Sequence, residues 1–149
     1  MTDKLYFEDI EVGQTFTGDT IVVDREIMLM IARDFDNQRM HLDAEAAKAM
    51  GFDDVIASGA YTFAAAIKTV QSILNRFHFL PSGRGIELSF VRPVLAGNTI
   101  TAHAEIISKR PSDKGSRGWA VFKTDYVNQD GVTVAEVNWL WLFKTRPID

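Results

Sequence analysis

Two periodicities divide the chain. Before residue 80 the apolar positions recur every three or four residues, whereas from residue 86 onward they alternate with polar ones, the spacing of strands. In the helical part, Asp24 suits an N-cap and Ile27, Met30, Ile31 and Phe35 follow at helical spacing, so a first helix is expected to about Asp34. Asp43 suits the cap of a second, short helix through Met50, with Gly51 fitted to the left-handed residue that ends it. The longest helix is expected to start at Ser58-Gly59 and reach Phe77. From Ala60 onward, Phe63, Ala64, Ile67, Val70 and Leu74 form one stripe, expected to be buried, while Lys68, Ser72 and Asn75 lie off it. This helix is roughly 25 Å long, enough to cross a sheet. The run Ala64-Ala65-Ala66 allows close approach, and Lys68 with Gln71 argues against a membrane span.

Strands account for the rest. Residues 6 to 23 read as a lead-in and first strand, with Gly13 and Gly18 interrupting Gln14-Thr15-Phe16-Thr17 before Ile21-Val22-Val23. Ile86, Leu88 and Phe90 alternate, then Ile100, Ala102, Ala104 and Ile106; Lys109 to Gly118, rich in charge, Ser and Gly, is expected to be a flexible connection. Trp119 to Val127 forms a further strand, Asn128-Gln129-Asp130-Gly131 a hairpin turn, and Val132 to Phe143 a last strand with Val137, Trp139, Trp141 and Phe143 on one face. Helices followed by an antiparallel meander predict an α+β domain whose sheet wraps the long helix. The four-residue apolar row on the last strand exceeds what one helix readily covers, so association is expected.

Composition narrows the possibilities. With 149 residues, 46% of them hydrophobic, the chain is long enough for one core and short for two, so residues 1–149 are taken as a single domain. A net charge of -4 without a basic run argues against nucleic acid or an anionic membrane as partner. The chain has no cysteine, which excludes disulfides, thiol nucleophiles and cysteine-bound zinc and fits a reducing compartment. The first residues lack the basic and apolar regions of a secretion signal, so a cytoplasmic location is expected. Three scattered histidines without ligand spacing predict no metal: His78 reads as structural and His103 as solvent-facing or at an interface. Gly83-Arg84-Gly85 is too short for a phosphate-binding loop, and no dinucleotide fingerprint occurs.

The remaining chemistry is concentrated in Asp36-Asn37-Gln38-Arg39-Met40-His41, where the apolar patterns break off. A carboxylate and an imidazole five residues apart meet as an acid/base pair if the segment curls as a loop, with His41 just before the next helix. The carbonyl end of the first helix disfavours negative charge, which suits Asp36 to accept a proton. Spacing alone favours an ordinary surface pair; the wider sequence shifts the balance. Phe35 to Ala47, followed by Gly51-Phe52 and Val55-Ile56-Ala57-Ser58-Gly59, resembles the signature of the MaoC-like dehydratases, a family that includes R-specific enoyl-CoA hydratases. Arg39 occupies the position usually held by proline, and Asn37 is a second departure.

The resemblance implies a hot-dog fold and a homodimer or higher even oligomer. It also implies reversible hydration of a trans-2-enoyl thioester to an R-3-hydroxyacyl thioester, with acyl-CoA as substrate and no separate cofactor. Asp36 and His41 would be the catalytic pair. Free amides near Gly59 and Ser58 would stabilise the enolate, Gln38 would orient the water or acyl chain, and Arg39 would face either solvent, pairing with Asp43, or the acyl pocket. Arg84 and Arg92, and beyond them Lys109 and Arg110, are candidates for the coenzyme phosphates. A hot-dog thioesterase and a non-catalytic acyl-CoA binding module are the rival readings.

Overall fold

A long helix lies against the inner face of one curled antiparallel sheet, with three shorter helical pieces set beside its start. The computed structural model describes residues 3–82 and 85–148. After a single 3-10 turn at Phe7–Asp9 come β1 (Thr15–Val22), α1 (Arg25–Phe35), α2 (Arg39–Leu42), α3 (Ala44–Ala49) and α4 (Gly59–Leu74). Then follow β2 (Phe79–Leu80), β3 (Ile86–Phe90), β4 (Thr99–Pro111), β5 (Arg117–Val127) and β6 (Thr133–Lys144). The sheet runs β1-β4-β5-β6-β2, and β3 pairs with β6 along the same edge as β2. This is the α+β hot-dog arrangement.

Local chemistry sets the boundaries. The Asp24 carboxylate accepts the Ile27 amide at 3.0 Å and Asp43 accepts those of Glu45 and Ala46, so both expected caps start their helices. Gly51, at φ +93°, follows α3 in the left-handed conformation that a side chain would oppose. Ser58 Oγ caps α4 by accepting the Tyr61 amide, and the Tyr61 hydroxyl in turn accepts the Asp24 amide, tying the starts of α1 and α4 together.

Four expectations fail, each for a physical reason. The buried face of α4 is Tyr61, Thr62, Ala65, Ala66, Thr69, Val70 and Ile73, so the stripe is rotated: Ala64 and Ile67 are exposed and Phe63 is half-buried. Small residues win the sheet-facing side because β1 passes very close. A Cβ on Gly18 would lie 2.3 Å from the Thr69 carbonyl oxygen, so the expected interruption at Gly18 is a close backbone approach with a register shift inside β1. The helix ends at Leu74, and Phe77 instead pairs with Leu5. Lys109 to Gly118 is a connection only in its middle: β4 runs on to Pro111 and β5 starts at Arg117, which leaves the five residues 112–116 as the turn between them. Finally, the row Val137, Trp139, Trp141 and Phe143 is covered within the chain, by Phe63 stacked on Trp139 and by Phe122 and Phe77 against Trp141 and Phe143. That row does not drive association.

The segment leading into α4 is pinned from outside by an ion pair. Arg25 at the start of α1 holds Asp54 through two contacts, at 2.7 and 3.1 Å, and Asp54 also accepts the Val55 amide. The Arg25 guanidinium, helped by that amide, lowers the Asp54 carboxyl to about 2.

Two outcomes follow from this packing. Gly18→Ala should lower stability by about 1–3 kcal/mol, because β1 cannot step back without losing its ladder with β4; an unchanged urea midpoint would show that it can. A depressed carboxyl adds stability that is complete above its unfolded value of 3.8 and is lost as pH falls through about 2. The difference in stability between the wild type and Arg25→Ala should therefore be constant at neutral pH and shrink below about pH 4. A difference that grows on acidification would contradict the clamp.

Candidate active site

Asp36 closes α1: its amide donates to the Ala32 carbonyl at 3.1 Å and its backbone then turns out of the helix. The Gln38 amide donates to the Asp36 carbonyl at 2.8 Å, and the His41 amide to the Gln38 carbonyl at 3.0 Å. This reversal is tighter than the loop expected from sequence: His41 lies just ahead of α3, as expected, but inside the one-turn helix α2. It brings His41 Nε2 to 3.4 Å from Asp36 Oδ2. The imidazole is buried, 5% exposed, while the carboxylate keeps a quarter of its surface.

The other ring nitrogen determines what the pair can do. His41 Nδ1 lies 2.8 Å from the Ile56 carbonyl oxygen. A carbonyl only accepts, so Nδ1 carries the proton, and a neutral ring presents the Nε2 lone pair to the carboxylate. Two acceptors facing one another suit a water that donates a proton to each. The Asp36 carboxylate is itself oriented, because Gln38 Nε2 donates to Oδ1 at 2.7 Å and leaves Oδ2 towards the ring. Ile56 is fixed in turn by its amide, which donates to the Met40 carbonyl, by a bridge to Leu95, and through Ala57, whose amide donates to Val94.

Three residues beyond Ile56, at most about 10 Å of chain, α4 begins. Ser58 is fully buried and its hydroxyl is engaged as the cap, so its side chain serves the helix and not a ligand. Among the described residues no hydrogen bond engages the Gly59 and Ala60 amides, the first two of the helix, which leaves two donors at its positive end. A Cβ on Gly59 would fall 2.8 Å from the Phe90 ring, so the glycine keeps this end open beneath Phe90.

The basic candidates separate. Arg39 is the first residue of α2, where the amide has no intrahelical partner; a proline fits there, and an arginine costs the turn no hydrogen bond. Its guanidinium is four-fifths exposed and pairs with Asp43 at 3.1 Å. Arg92 is exposed and donates to the carbonyl of its own neighbour Val91 at 3.0 Å, beside a cavity of about 410 Å³ that Asp53 and Asp130 also line. Arg84 lies outside the described residues. Lys109 donates to the Phe7 and Ile10 carbonyls and covers the Phe7 ring, which makes it a structural pin. Arg110 lies over the Trp119 ring.

His78 stacks on Tyr6 at 3.9 Å, and His103 faces Thr17 on the open side of the sheet. Among the described residues no group of three metal-ligating side chains occurs, and no helix is long and apolar enough to cross a membrane. Cavities of about 500, 470 and 410 Å³ open elsewhere on the chain, and neither Asp36 nor His41 lines them. Sequence reading missed Ile56, whose contribution is a carbonyl and leaves no trace in residue type.

Comparison with known proteins bears on the fold and the family. A MaoC-like dehydratase from Rhodospirillum rubrum is 28% identical, with a TM-score of 0.84 over 97% of this chain and 99% of that one. The uncharacterized protein YdeM of Bacillus subtilis (strain 168) is 26% identical over 130 residues, 87% of this chain and 92% of that protein. An R-hydratase from Pseudomonas aeruginosa, 23% identical, shares the fold with a TM-score of 0.71 over 97% and 88% of the two chains. The model of the MaoC like domain matches residues 9–125, most of the sheet and all of the motif, and the chain belongs to that family.

Proposed function

We propose that the chain is a hydro-lyase that adds water to a trans-2-enoyl-CoA, giving the R-3-hydroxyacyl-CoA, and catalyses the reverse reaction. The observation that carries this reading is the orientation of His41. With Nδ1–H given to Ile56, Nε2 and Asp36 Oδ2 are two acceptors that hold one water by both protons and aim its lone pair outward. The water oxygen bonds to the β-carbon, one proton passes to the Asp36–His41 pair, and a proton returns from the pair to the α-carbon, so nothing is oxidised or reduced. The electrons pushed towards the thioester oxygen meet the Gly59 and Ala60 amides. Gln38 acts through Asp36, as a positioning residue.

We also place the working unit as a homodimer, for a reason other than the one the sequence offered. Ala60, Ala64 and Ile67 lie on the outward side of α4, and Phe90, over Gly59, is 56% exposed, an apolar surface along α4 that the chain itself leaves uncovered. A second copy covering it would close the site from above.

Asp36→Asn and His41→Ala should each lower kcat/KM for crotonyl-CoA by about 10²- to 10⁴-fold without altering the circular dichroism spectrum. Near-normal hydration in both folded variants would rule the mechanism out. Release of free thiol from the acyl-CoA would identify a thioesterase instead, since hydration releases none. Arg39→Gln should leave unchanged the preference between a carboxylated and a plain enoyl-CoA, since the guanidinium already has Asp43; a shifted ratio would put Arg39 in the acyl pocket. Ile67→Asp should turn a dimer into a monomer in sedimentation velocity, and a wild type that sediments as a monomer at micromolar concentration would remove the dimer from the proposal.

A further inference from the structure

The turn between β4 and β5 and the chain after β2 enclose a cavity of about 330 Å³, lined by Pro81, Ser82, Arg110, Ser112, Asp113, Lys114, Arg117, Trp119 and Leu142. Trp119 and Leu142 are cross-strand partners that alternate with the core-facing residues of β5 and β6, so the cavity lies on the sheet face turned away from α4. Along β5 it is seven residues, roughly 23 Å, from the level of Tyr126, where Phe90 and the start of α4 sit. It is separate from the Asp36–His41 pair.

Its wall is built around missing acceptors. Arg117 Nε and Ser82 Oγ are both buried from solvent and have no hydrogen-bond partner among the described residues. An arginine Nε always carries its proton, so burying it unpaired costs free energy that a bound acceptor would recover. The charge is unbalanced as well. Three cationic side chains face one carboxylate, and among the described residues no ion pair joins Asp113 to any of them. On the adjoining strand Lys144 stands directly opposite Arg117, a like-charge register that destabilises a bare sheet. Arg110 is held over the Trp119 ring, with its charge at the rim.

From these features we propose that the cavity is a binding site for a phosphate monoester. Arg117 Nε–H and Ser82 Oγ–H contact its oxygens, Arg110 and Lys114 neutralise its second charge, and the Trp119–Leu142 wall carries the attached organic group. At roughly 30 Å³ per water the space holds about ten waters, more than a bare phosphate requires. A guanidinium matches tetrahedral oxyanions in both geometry and charge. The site does not depend on the hydratase reading. Its phosphate belongs either to a separate phosphorylated metabolite or to a coenzyme A ester.

The test is a titration of the full chain with inorganic phosphate, 3'-dephospho-coenzyme A and coenzyme A, read at the Arg117 Nε–H and Trp119 indole resonances. A saturable shift of both with phosphate is expected, together with binding about tenfold weaker in Ser82→Ala and Arg117→Lys, the latter read at Trp119 and retaining the charge. Should Arg117→Lys fail to fold, Ser82→Ala carries the comparison. Coenzyme A displacing phosphate better than its dephospho form identifies the coenzyme's 3'-phosphate as occupant; phosphate bound and displaced by neither identifies a separate ester. No saturable shift with any of the three, or binding undiminished in the folded variants, overturns the proposal. Unchanged crotonyl-CoA hydration in Ser82→Ala leaves this result independent of the active-site reading.

Discussion

The hydrogen bond from His41 Nδ1 to the Ile56 carbonyl is the contact on which the site's geometry depends. It fixes the tautomer of a buried imidazole, aims Nε2 at Asp36, and joins the turn after α1 to the segment that becomes α4. Every neighbouring restraint acts to hold its two ends. The Met40 carbonyl and the bridge to Leu95 hold Ile56, the Arg25–Asp54 clamp holds the chain just before it, and the Asp24–Tyr61 bond keeps α1 and α4 from sliding apart. The pair, a buried ring beside a partly exposed carboxylate, is thus preorganised by backbone and by side chains other than its own.

Much of this was legible because capping is local. Asp24, Asp43, Ser58 and Gly51 each mark a boundary through bonds to residues two or three away, and all four are used as the sequence suggests. The alternation of Ile100, Ala102, Ala104 and Ile106 was equally readable, since all four face the core. What failed required long-range information. α4 is apolar on two sides, and periodicity cannot say which one meets the sheet; Gly18 pressing on Thr69 decides it from fifty residues away. The turn that carries His41 is a single helical turn, too short to show a period. Lys109 to Gly118 looks like a loop by composition, yet both of its ends are paired in the β4–β5 ladder and only residues 112–116 turn.

The motif's departure at Arg39 is explained by the same local physics. Proline is favoured at a first helical position because its missing donor is not needed there and its φ is already set. Arginine forgoes that stiffness, and the i,i+4 pair with Asp43 holds the turn from its other end. Asp43 is doubly engaged, capping α3 while it pairs with Arg39, and its carboxyl is lowered chiefly by the Ala46 amide and then by Arg39. One side chain thus stabilises both short helices, which lets the sequence vary at Arg39 without moving His41.

On the two readings proposed above, the faces of the sheet would meet negative charge differently. On the helical face the donors are backbone amides at the start of α4, weak singly and fixed in place, suited to a charge that develops and disappears within a reaction. On the outer face they are full cations and a buried hydroxyl, suited to a charge that stays. Between them the core carries little polarity: Trp139 donates to Tyr126, and burial pushes the Tyr126 hydroxyl up so that it remains a neutral phenol. An apolar layer of this kind does not screen one site from the other, but it holds the strands rigid. The seven residues of β5 between them therefore set a nearly fixed distance, and a ligand at the outer cavity reaches the pair only by passing around the sheet edge or from a second copy of the chain.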